Sequence, residues 1–468
     1  MRILACLSAA VLAALLIATI VPRSDTASGL ALVILLLNIM TLMAALTYNI
    51  TGKDERLGQY YFYLYFLLFF LIPGYVHTSI GRFPFFSMVY EDRYIELAAA
   101  CVLLFTLFFL AGYALTSNYS WRIHDGPRVR LGYGLALMYL GISIAVAFWF
   151  GIENYTISRG DLDLMSEQES SPVGLVLVTA PRVLSFVGLL TCLIRLKEQW
   201  SGPGVAISFL ALAVFITVNS PVAIARFILF AYVIIAITVF TELTSRKKLA
   251  LALAFFVGQL TIFPAVSLLS RGDINDLFSS SLWDFFVSNG DFDGFQSTIN
   301  VVRYAELNGY RYGINLLSAV LFFVPREFWF GKSRGTGGEA AAFNGYDFIN
   351  ISAPLPSEFY VDFGVAGLII GAAIFGSLLS RLDGKIRRYR RSRDRFALMR
   401  PATIVGYLFI VLRGSLVGVL GAVVLTYGLV WLSLKWSSLK QGLRMPIRSP
   451  NRFGRDYRSS PVNKALSD

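Results

Sequence analysis

The chain has 468 residues, of which 56% are apolar and only 15% are charged, and its mean hydropathy is +0.64. This composition excludes an ordinary water-soluble enzyme. The formal net charge is +12, and most of it is expected in loops beside apolar segments, where basic residues orient a membrane protein and attract anionic lipid. A nucleic-acid partner is therefore not expected, even for the basic run at residues 387–391.

Apolar runs long enough to cross about 30 Å of hydrocarbon as helices recur along the chain. They predict an all-α polytopic membrane protein with about twelve transmembrane helices, near residues 3–20, 29–48, 60–76, 94–115, 132–150, 173–194, 205–219, 222–241, 249–268, 358–380, 401–417 and 418–435. The first run lacks a clear cleavage site and is expected to be a retained helix. The three cysteines all fall within these runs, which predicts packing rather than disulfides.

Lysine and arginine are concentrated in alternate loops, which predicts that both termini are cytoplasmic. The predicted organisation is an N-terminal transmembrane bundle of about nine helices, a long outer loop with short interfacial helices, C-terminal transmembrane helices and a basic cytoplasmic tail, over residues 1–268, 269–357, 358–436 and 437–468 respectively. Within the loop, a helix near 295–307 and a short apolar segment at 314–324 are predicted. A loop of this length with its own secondary structure indicates that any chemistry lies on the outer side.

Three arginines fall inside predicted transmembrane segments, namely Arg182, Arg226 and Arg413. Counted from the outer ends of their helices, all three lie in the outer half of the membrane. A charge in hydrocarbon costs roughly 2.5–3.5 kcal/mol on insertion scales, so each arginine needs a partner. Snorkelling or an ion pair accounts for a single residue, whereas three in one leaflet predict binding of an anionic lipid head group such as a pyrophosphate.

Two short patterns that contain aspartate are also expected on the outer side. Ser-Arg-Gly-Asp occurs twice, at 158–161 and 270–273, and indicates either a shared glycine-dependent turn or a substrate contact. The triplet 291–293, Asp-Phe-Asp, resembles metal-chelating motifs of nucleotide-sugar transferases, but nucleotide sugars are not expected outside. With only two histidines in the chain, no paired-histidine metal site or Ser-His-Asp triad is predicted.

Glu358 and Asp362 stand at the start of an apolar helix, behind Pro354 and Pro356. Glu358 lies in the first turn, where the helix dipole favours an anion, so a helix cap is one interpretation. Asp362 shares its face, and Gly367 and Gly371 form a small-residue face suited to close helix contact. The alternative interpretation is a general base towards a sugar hydroxyl, beside a loop that carries Arg326, Lys332 and Arg334.

Three stretches between residues 290 and 371 carry a family resemblance, namely Tyr-Gly-Ile-Asn-Leu-Leu at 312–317, Val-Pro-Arg-Glu-Phe-Trp-Phe-Gly-Lys at 324–332, and Ser-Glu-Phe-Tyr at 357–360 with Phe363, Gly364 and Gly367. Together they resemble the Wzy-type O-antigen or oligosaccharide repeat-unit polymerases of bacterial inner membranes. The resemblance implies a GT-C-like glycosyltransferase without cofactor or metal, which joins repeat units carried on undecaprenyl pyrophosphate at the periplasmic face. Its implied partners are the lipid-linked donor and acceptor, and a chain-length regulator is a further candidate.

The resemblance also implies arginines in two outer loops, which points to Arg159 and Arg271, although the Arg-to-Gly spacing described for some members is not kept. Glu358 and Arg271 are the predicted catalytic residues. The predicted substrate-binding residues are Arg159, Arg182, Arg226, Arg326, Lys332, Arg334, Arg413, Asp291, Asp293 and Asp362. Trp283, Tyr312 and Trp329 are candidates for stacking on sugars or for anchoring at the membrane interface.

Three other functions stay open. An O-antigen ligase would carry a catalytic histidine in an outer loop, and the long loop has none. A lipid-linked oligosaccharide flippase would show repeated halves and broken helices near the midplane, which the sequence does not display. A purely structural membrane partner is the third.

Overall fold

The computed structural model describes residues 2–25, 27–52, 54–85, 89–117, 129–157, 172–261 and 287–444. All regular elements in these ranges are helical, as predicted. The first nine helices are α1 (Arg2–Ile20), α2 (Gly29–Thr51), α3 (Leu57–Ile80), α4 (Asp92–Ser117), α5 (Tyr133–Phe150), α6 (Pro172–Glu198), α7 (Gly202–Val218), α8 (Arg226–Phe240) and α9 (Ser245–Leu260). The others are α10 (Gly294–Asn308), α11 (Ile314–Val320), α12 (Thr336–Phe343), α13 (Leu355–Arg391), α14 (Arg395–Gly406), α15 (Leu408–Arg413) and α16 (Leu416–Arg444).

Eight helical segments in the described ranges are long and apolar enough to cross a membrane, fewer than the twelve predicted. They are α2, α3, α4, α5, most of α6, α13, α14 together with α15, and most of α16. The apolar part of α1 and the helices α7 and α8 are shorter apolar segments. A helix of 15–17 residues is only about 23–26 Å long at 1.5 Å per residue, below the thickness of the hydrocarbon core.

Helix α3 lies at the centre of the bundle. Its first nine residues, Leu57–Tyr65, are all buried, and a π-helical stretch follows at Phe66–Leu71. The side chains of α3 pack against aromatic residues of α4 and α15, with Phe62 stacked on Phe109 and Tyr65 edge-on to Phe409. A helix that is apolar all round buries every face, and here this produces an aromatic core.

Helix α10 belongs to this core, although its sequence falls in the predicted outer loop. Eleven of its residues, from Gly294 to Ala305, are buried. Gly74 of α3 lies against the ring of Phe295, and Gly294 lies against the ring of Phe70, so the two backbones approach closely. The predicted helix near 295–307 is therefore confirmed, and it packs inside the bundle rather than on its surface.

Helix α13 consists of two segments, because Phe363 and Gly364 leave the helical conformation. Gly364 has φ +62° and ψ −148°, a conformation open only to glycine. Gly367 and Gly371 do provide a close helix contact, but the partner is the preceding segment of α13, whose Phe359 lies over both glycines. The close contact with another helix occurs lower down, where Gly376 meets the backbone of Phe109 in α4.

At the opposite end of the bundle, buried and partly buried charged side chains hold α13. Asp383 of α13 accepts hydrogen bonds from the amide nitrogens of Gly58 and Gln59 at the start of α3. Arg390, further along α13, pairs with Glu55 at 2.6 Å. These contacts join α13 to the start of α3 and fix the long segment of α13 at the end remote from Glu358.

Candidate functional site

Asp291 lies between two arginines that come from different helices. Arg226 is the first residue of α8, and its Nη1 lies 3.1 Å from Oδ2 of Asp291. Arg413 is the last residue of α15, and its Nη2 lies 3.7 Å from Oδ1 of the same carboxylate. The Nη2 of Arg413 also donates a hydrogen bond to the carbonyl oxygen of Gly290, at 2.9 Å. The 3₁₀ turn Gly290–Phe292 is thus held by the ends of α8 and α15.

Asp293 is the second carboxylate of this cluster. Its Oδ1 lies 3.6 Å from Nη2 of Arg413, and its Oδ2 accepts hydrogen bonds from Ser297 Oγ and from the amide nitrogen of Ser352. Burial raises the pKa of the Asp293 carboxyl above its ordinary value, against the opposing effect of Arg413. Of the predicted substrate-binding residues, the structure therefore brings four together in one cluster, namely Arg226, Arg413, Asp291 and Asp293.

The arginines of this cluster are more accessible than the aspartates. The side chains of Arg226 and Arg413 are 17% and 25% exposed, whereas those of Asp291 and Asp293 are 7% and 1% exposed. An anion that approaches from outside would meet guanidinium groups before it met a carboxylate. Phosphate oxygens form strong charge-assisted hydrogen bonds with such groups, so the cluster is suited to an anionic ligand.

Glu358 is fully buried and accepts hydrogen bonds at both carboxylate oxygens. Its Oε1 accepts from Ser415 Oγ and from the amide nitrogen of Leu416, each at 2.9 Å, and its Oε2 accepts from Thr336 Oγ1. Leu416 is the first residue of α16, so Glu358 satisfies the start of a helix 58 residues later in the chain. The helix-cap interpretation thus holds for α16 rather than for the helix that carries Glu358.

The Glu358 contacts and the arginine–aspartate cluster share one short connection. Ser415, which donates to Glu358, is two residues beyond Arg413. Glu358 therefore fixes the turn from α15 to α16, and that turn determines where the guanidinium of Arg413 lies. In this arrangement Glu358 acts as a positioning residue for Arg413, and its predicted role as a general base stays a prediction.

Arg182 lies at the same end of the bundle but outside the cluster. Its Nη2 donates to the carbonyl oxygens of Ala223, at 3.3 Å, and Asn154, at 3.5 Å. Its guanidinium also lies over the ring of Tyr155, at 5.5 Å from the centroid. Backbone carbonyls thus accept from this arginine, and Ala223 is only three residues before Arg226.

Arg326, Lys332 and Arg334 lie on the connection between α11 and α12. Lys332 donates to the carbonyl oxygens of Phe322 and Val324, each at 2.7 Å, and burial lowers the pKa of its ammonium group. Arg326 and Arg334 are exposed. The structure does not bring these three residues into the arginine–aspartate cluster.

Asp362 has a structural role in this arrangement. Its carboxylate accepts hydrogen bonds from the amide nitrogens of Asn315 and Leu316, at 3.2 and 2.8 Å. These are the second and third residues of α11, so Asp362 caps that helix from a distant part of the chain. The short apolar segment predicted at 314–324 is thereby tied to the break in α13.

The remaining predicted residues divide into two groups. Arg159, Arg271 and Trp283 lie outside the described residues. Tyr312 is largely exposed, with a positive φ of 47°, and Trp329 is half-buried. Within the part of the chain that the structure describes, no group of three or more His, Cys, Asp or Glu side chains could hold a metal ion.

Sequence reasoning missed Thr336 and Ser415, the two hydroxyl partners of Glu358. Each follows a glycine and stands at the start of a helix, a pattern that indicates a helix N-terminus and could have drawn attention to them. The carbonyl group of Gly290 was also missed. No side-chain pattern marks a backbone acceptor, so only the structure identifies it.

An apolar groove of about 540 Å³ runs along the break and the long segment of α13. It starts next to Glu358 and Asp362, because Phe359, Phe363 and Leu316 line that end. Gly367 and Gly371 also line the groove, and Ile374 and Leu378 continue it along the helix. A chain of hydrocarbon fits such a surface.

The whole chain was also compared with family models, curated protein sequences and solved structures. No family model, no curated sequence and no solved structure matches it.

Proposed function

We propose that this protein is a glycosyltransferase of the bacterial inner membrane that polymerises oligosaccharide repeat units carried on undecaprenyl pyrophosphate, at the periplasmic face. In this proposal the helices form a GT-C-like bundle with about twelve membrane crossings and cytoplasmic termini. The donor and acceptor are both lipid-linked oligosaccharides, and no cofactor takes part. The product is an O-antigen or exopolysaccharide chain.

The convergence of Arg226 and Arg413 on Asp291 carries the proposal. Two guanidinium groups at the ends of apolar helices match a ligand that joins a lipid to a pyrophosphate. The buried aspartates hold the arginines in place until the pyrophosphate, with more negative charge, competes for them. The apolar groove along α13 gives the isoprenoid chain of the carrier a place to lie.

The proposed reaction is transfer of the growing chain to the incoming unit. A hydroxyl oxygen of the acceptor sugar forms a bond to the anomeric carbon of the donor, while the bond from that carbon to the pyrophosphate oxygen breaks. The electron pair leaves on the pyrophosphate, which also takes up the hydroxyl proton. Arg226 and Arg413 stabilise the negative charge that develops on this leaving group, the kind of stabilisation that contributes most to many enzymes.

The test is a gel of surface polysaccharide from a strain that lacks the gene, complemented with wild type, Arg413→Ala or Arg413→Lys. We expect a ladder with wild type, a single-repeat band with Arg413→Ala and a weakened ladder with Arg413→Lys, since lysine keeps the charge but not the bidentate geometry. Arg93→Ala is the matched control, because Arg93 is an exposed arginine paired with Glu91.

Immunoblots of the membrane fraction verify that each variant accumulates to the wild-type level. A deletion strain that loses every repeat-bearing band, and not only the ladder, would point to a flippase or ligase instead. A full ladder with Arg413→Ala would remove the arginine cluster from the mechanism.

A further inference from the structure

Three aromatic rings form a surface cluster next to the arginine–aspartate cluster. Phe85, Tyr346 and Phe348 contact one another edge to face, with ring centroids 5.1–6.0 Å apart. Phe348 is 45% exposed, and its neighbours Asp347 and Asn350 are exposed polar residues. Sequence reasoning did not single out any of the three, and Phe85 lies far in the chain from Tyr346 and Phe348.

Buried amide side chains of α10 hold this aromatic cluster in place. The side chain of Gln296 accepts from the amide nitrogen of Phe85 and donates to its carbonyl oxygen, at 2.9 and 2.7 Å. Gln296 and Asn300 both donate to the hydroxyl of Tyr346, each at 3.1 Å, and Tyr90 shares a hydrogen bond with it. Such a satisfied polar network is rigid, so the rings are oriented before any ligand binds.

Gly290 connects the aromatic cluster to the arginines. A Cβ atom at Gly290 would come within 2.9 Å of the ring of Phe85, so the ring packs directly on this glycine. The carbonyl oxygen of the same residue accepts from Arg413. The aromatic cluster and the guanidinium of Arg413 are therefore separated by the single residue Gly290.

We propose that Phe85, Tyr346 and Phe348 form a saccharide-binding surface that takes a sugar ring close to the pyrophosphate. The proposal rests on the proposed function, which supplies a ligand with sugar and pyrophosphate directly joined. The apolar C–H face of a sugar ring packs on aromatic faces, and a few polar groups then fix its orientation. In this proposal the exposed side chains of Asp347 and Asn350 bind the hydroxyl groups.

Saturation-transfer difference NMR on the purified full-length protein in lipid nanodiscs tests this proposal without any need for activity. The probe is the repeat-unit oligosaccharide released from the host's surface polysaccharide by mild acid. We expect transfer to the sugar C–H protons with wild type and with Phe348→Trp. With Phe348→Leu, which keeps an apolar side chain but no ring, we expect a loss of about fivefold, equivalent to about 1 kcal/mol.

Phe330→Leu is the matched control, because Phe330 is 94% exposed and belongs to a different segment, and it should leave the signal unchanged. No transfer to the wild-type protein would overturn the proposal. Equal transfer with Phe348→Leu would also overturn it and would identify the surface as a contact with lipid. The polysaccharide ladder reports separately on the proposed function, so a failure of either idea can be told from a failure of the other.

Discussion

The Nη2 of Arg413 lies 2.9 Å from the carbonyl oxygen of Gly290, a residue 123 positions earlier in the chain. This hydrogen bond joins the end of α15 to the turn that precedes α10. The guanidinium of Arg413 also lies over the ring of Phe227, at 4.7 Å from the centroid. One arginine therefore connects three separate parts of the sequence, and its position determines the shape of the proposed anion-binding surface.

The contacts of Glu358 predict different outcomes for two substitutions. Glu358→Gln keeps an amide oxygen and similar volume, so most of the hydrogen bonds to Thr336, Ser415 and Leu416 can persist. We expect the free energy of unfolding to fall by about 1 kcal/mol and the polysaccharide ladder to stay close to that of wild type. Glu358→Ala leaves these buried donors without an acceptor. We therefore expect the free energy of unfolding to fall by about 3 kcal/mol and the polysaccharide ladder to disappear.

The measurements are the midpoint of thermal unfolding of the purified protein and the ladder of the complemented strain. A Glu358→Gln protein with wild-type stability but only a single-repeat band would establish Glu358 as a general base. That result would contradict the positioning role argued from its hydrogen bonds.

The break in α13 predicts a strong effect at Gly364 and none at a second glycine of the same helix. At Gly364 alanine would have to adopt φ +62°, and its Cβ would lie 3.0 Å from the ring of Tyr310. We expect Gly364→Ala to destabilise the protein by about 1–3 kcal/mol. Gly384→Ala meets no neighbouring atom within 4 Å and should be neutral or stabilising by up to about 1 kcal/mol. The measurement is the midpoint of thermal unfolding of the two variants in detergent. Equal midpoints would mean that the backbone conformation at Gly364 does not require glycine.

Asp293 predicts a dependence of stability on pH. Its folded pKa is raised by burial, so its contribution to stability is complete below its unfolded pKa of about 4 and is lost as the pH rises through the folded pKa. Asn at this position does not ionise. As the pH is raised from acid to neutral, the midpoint temperature of unfolding of Asp293→Asn should therefore rise relative to that of wild type. The opposite trend would mean that pairing with Arg413 outweighs burial.

Part of the candidate site was predictable because its residues stand out in their local sequence. Arg226 and Arg413 were singled out by charge within apolar segments, and Asp291 and Asp293 by their spacing. The contact between these residues was not predictable. The turn Gly290–Phe292 lies next to arginines that are 65 and 122 positions away from Asp291 in the sequence. The small-residue face at Gly367 and Gly371 was also recognised, but its partner is Phe359 of the same helix.

The sequence by itself determined that this is an all-helical membrane protein, because apolar runs of sufficient length must satisfy their backbone hydrogen bonds internally in hydrocarbon. It also determined where α10 would form. Only the tertiary structure decided that Glu358 caps α16, that Asp362 caps α11 and that Asp291 lies between Arg226 and Arg413. Hydropathy and helix signals are local, whereas partners for buried charges are chosen by packing among distant segments.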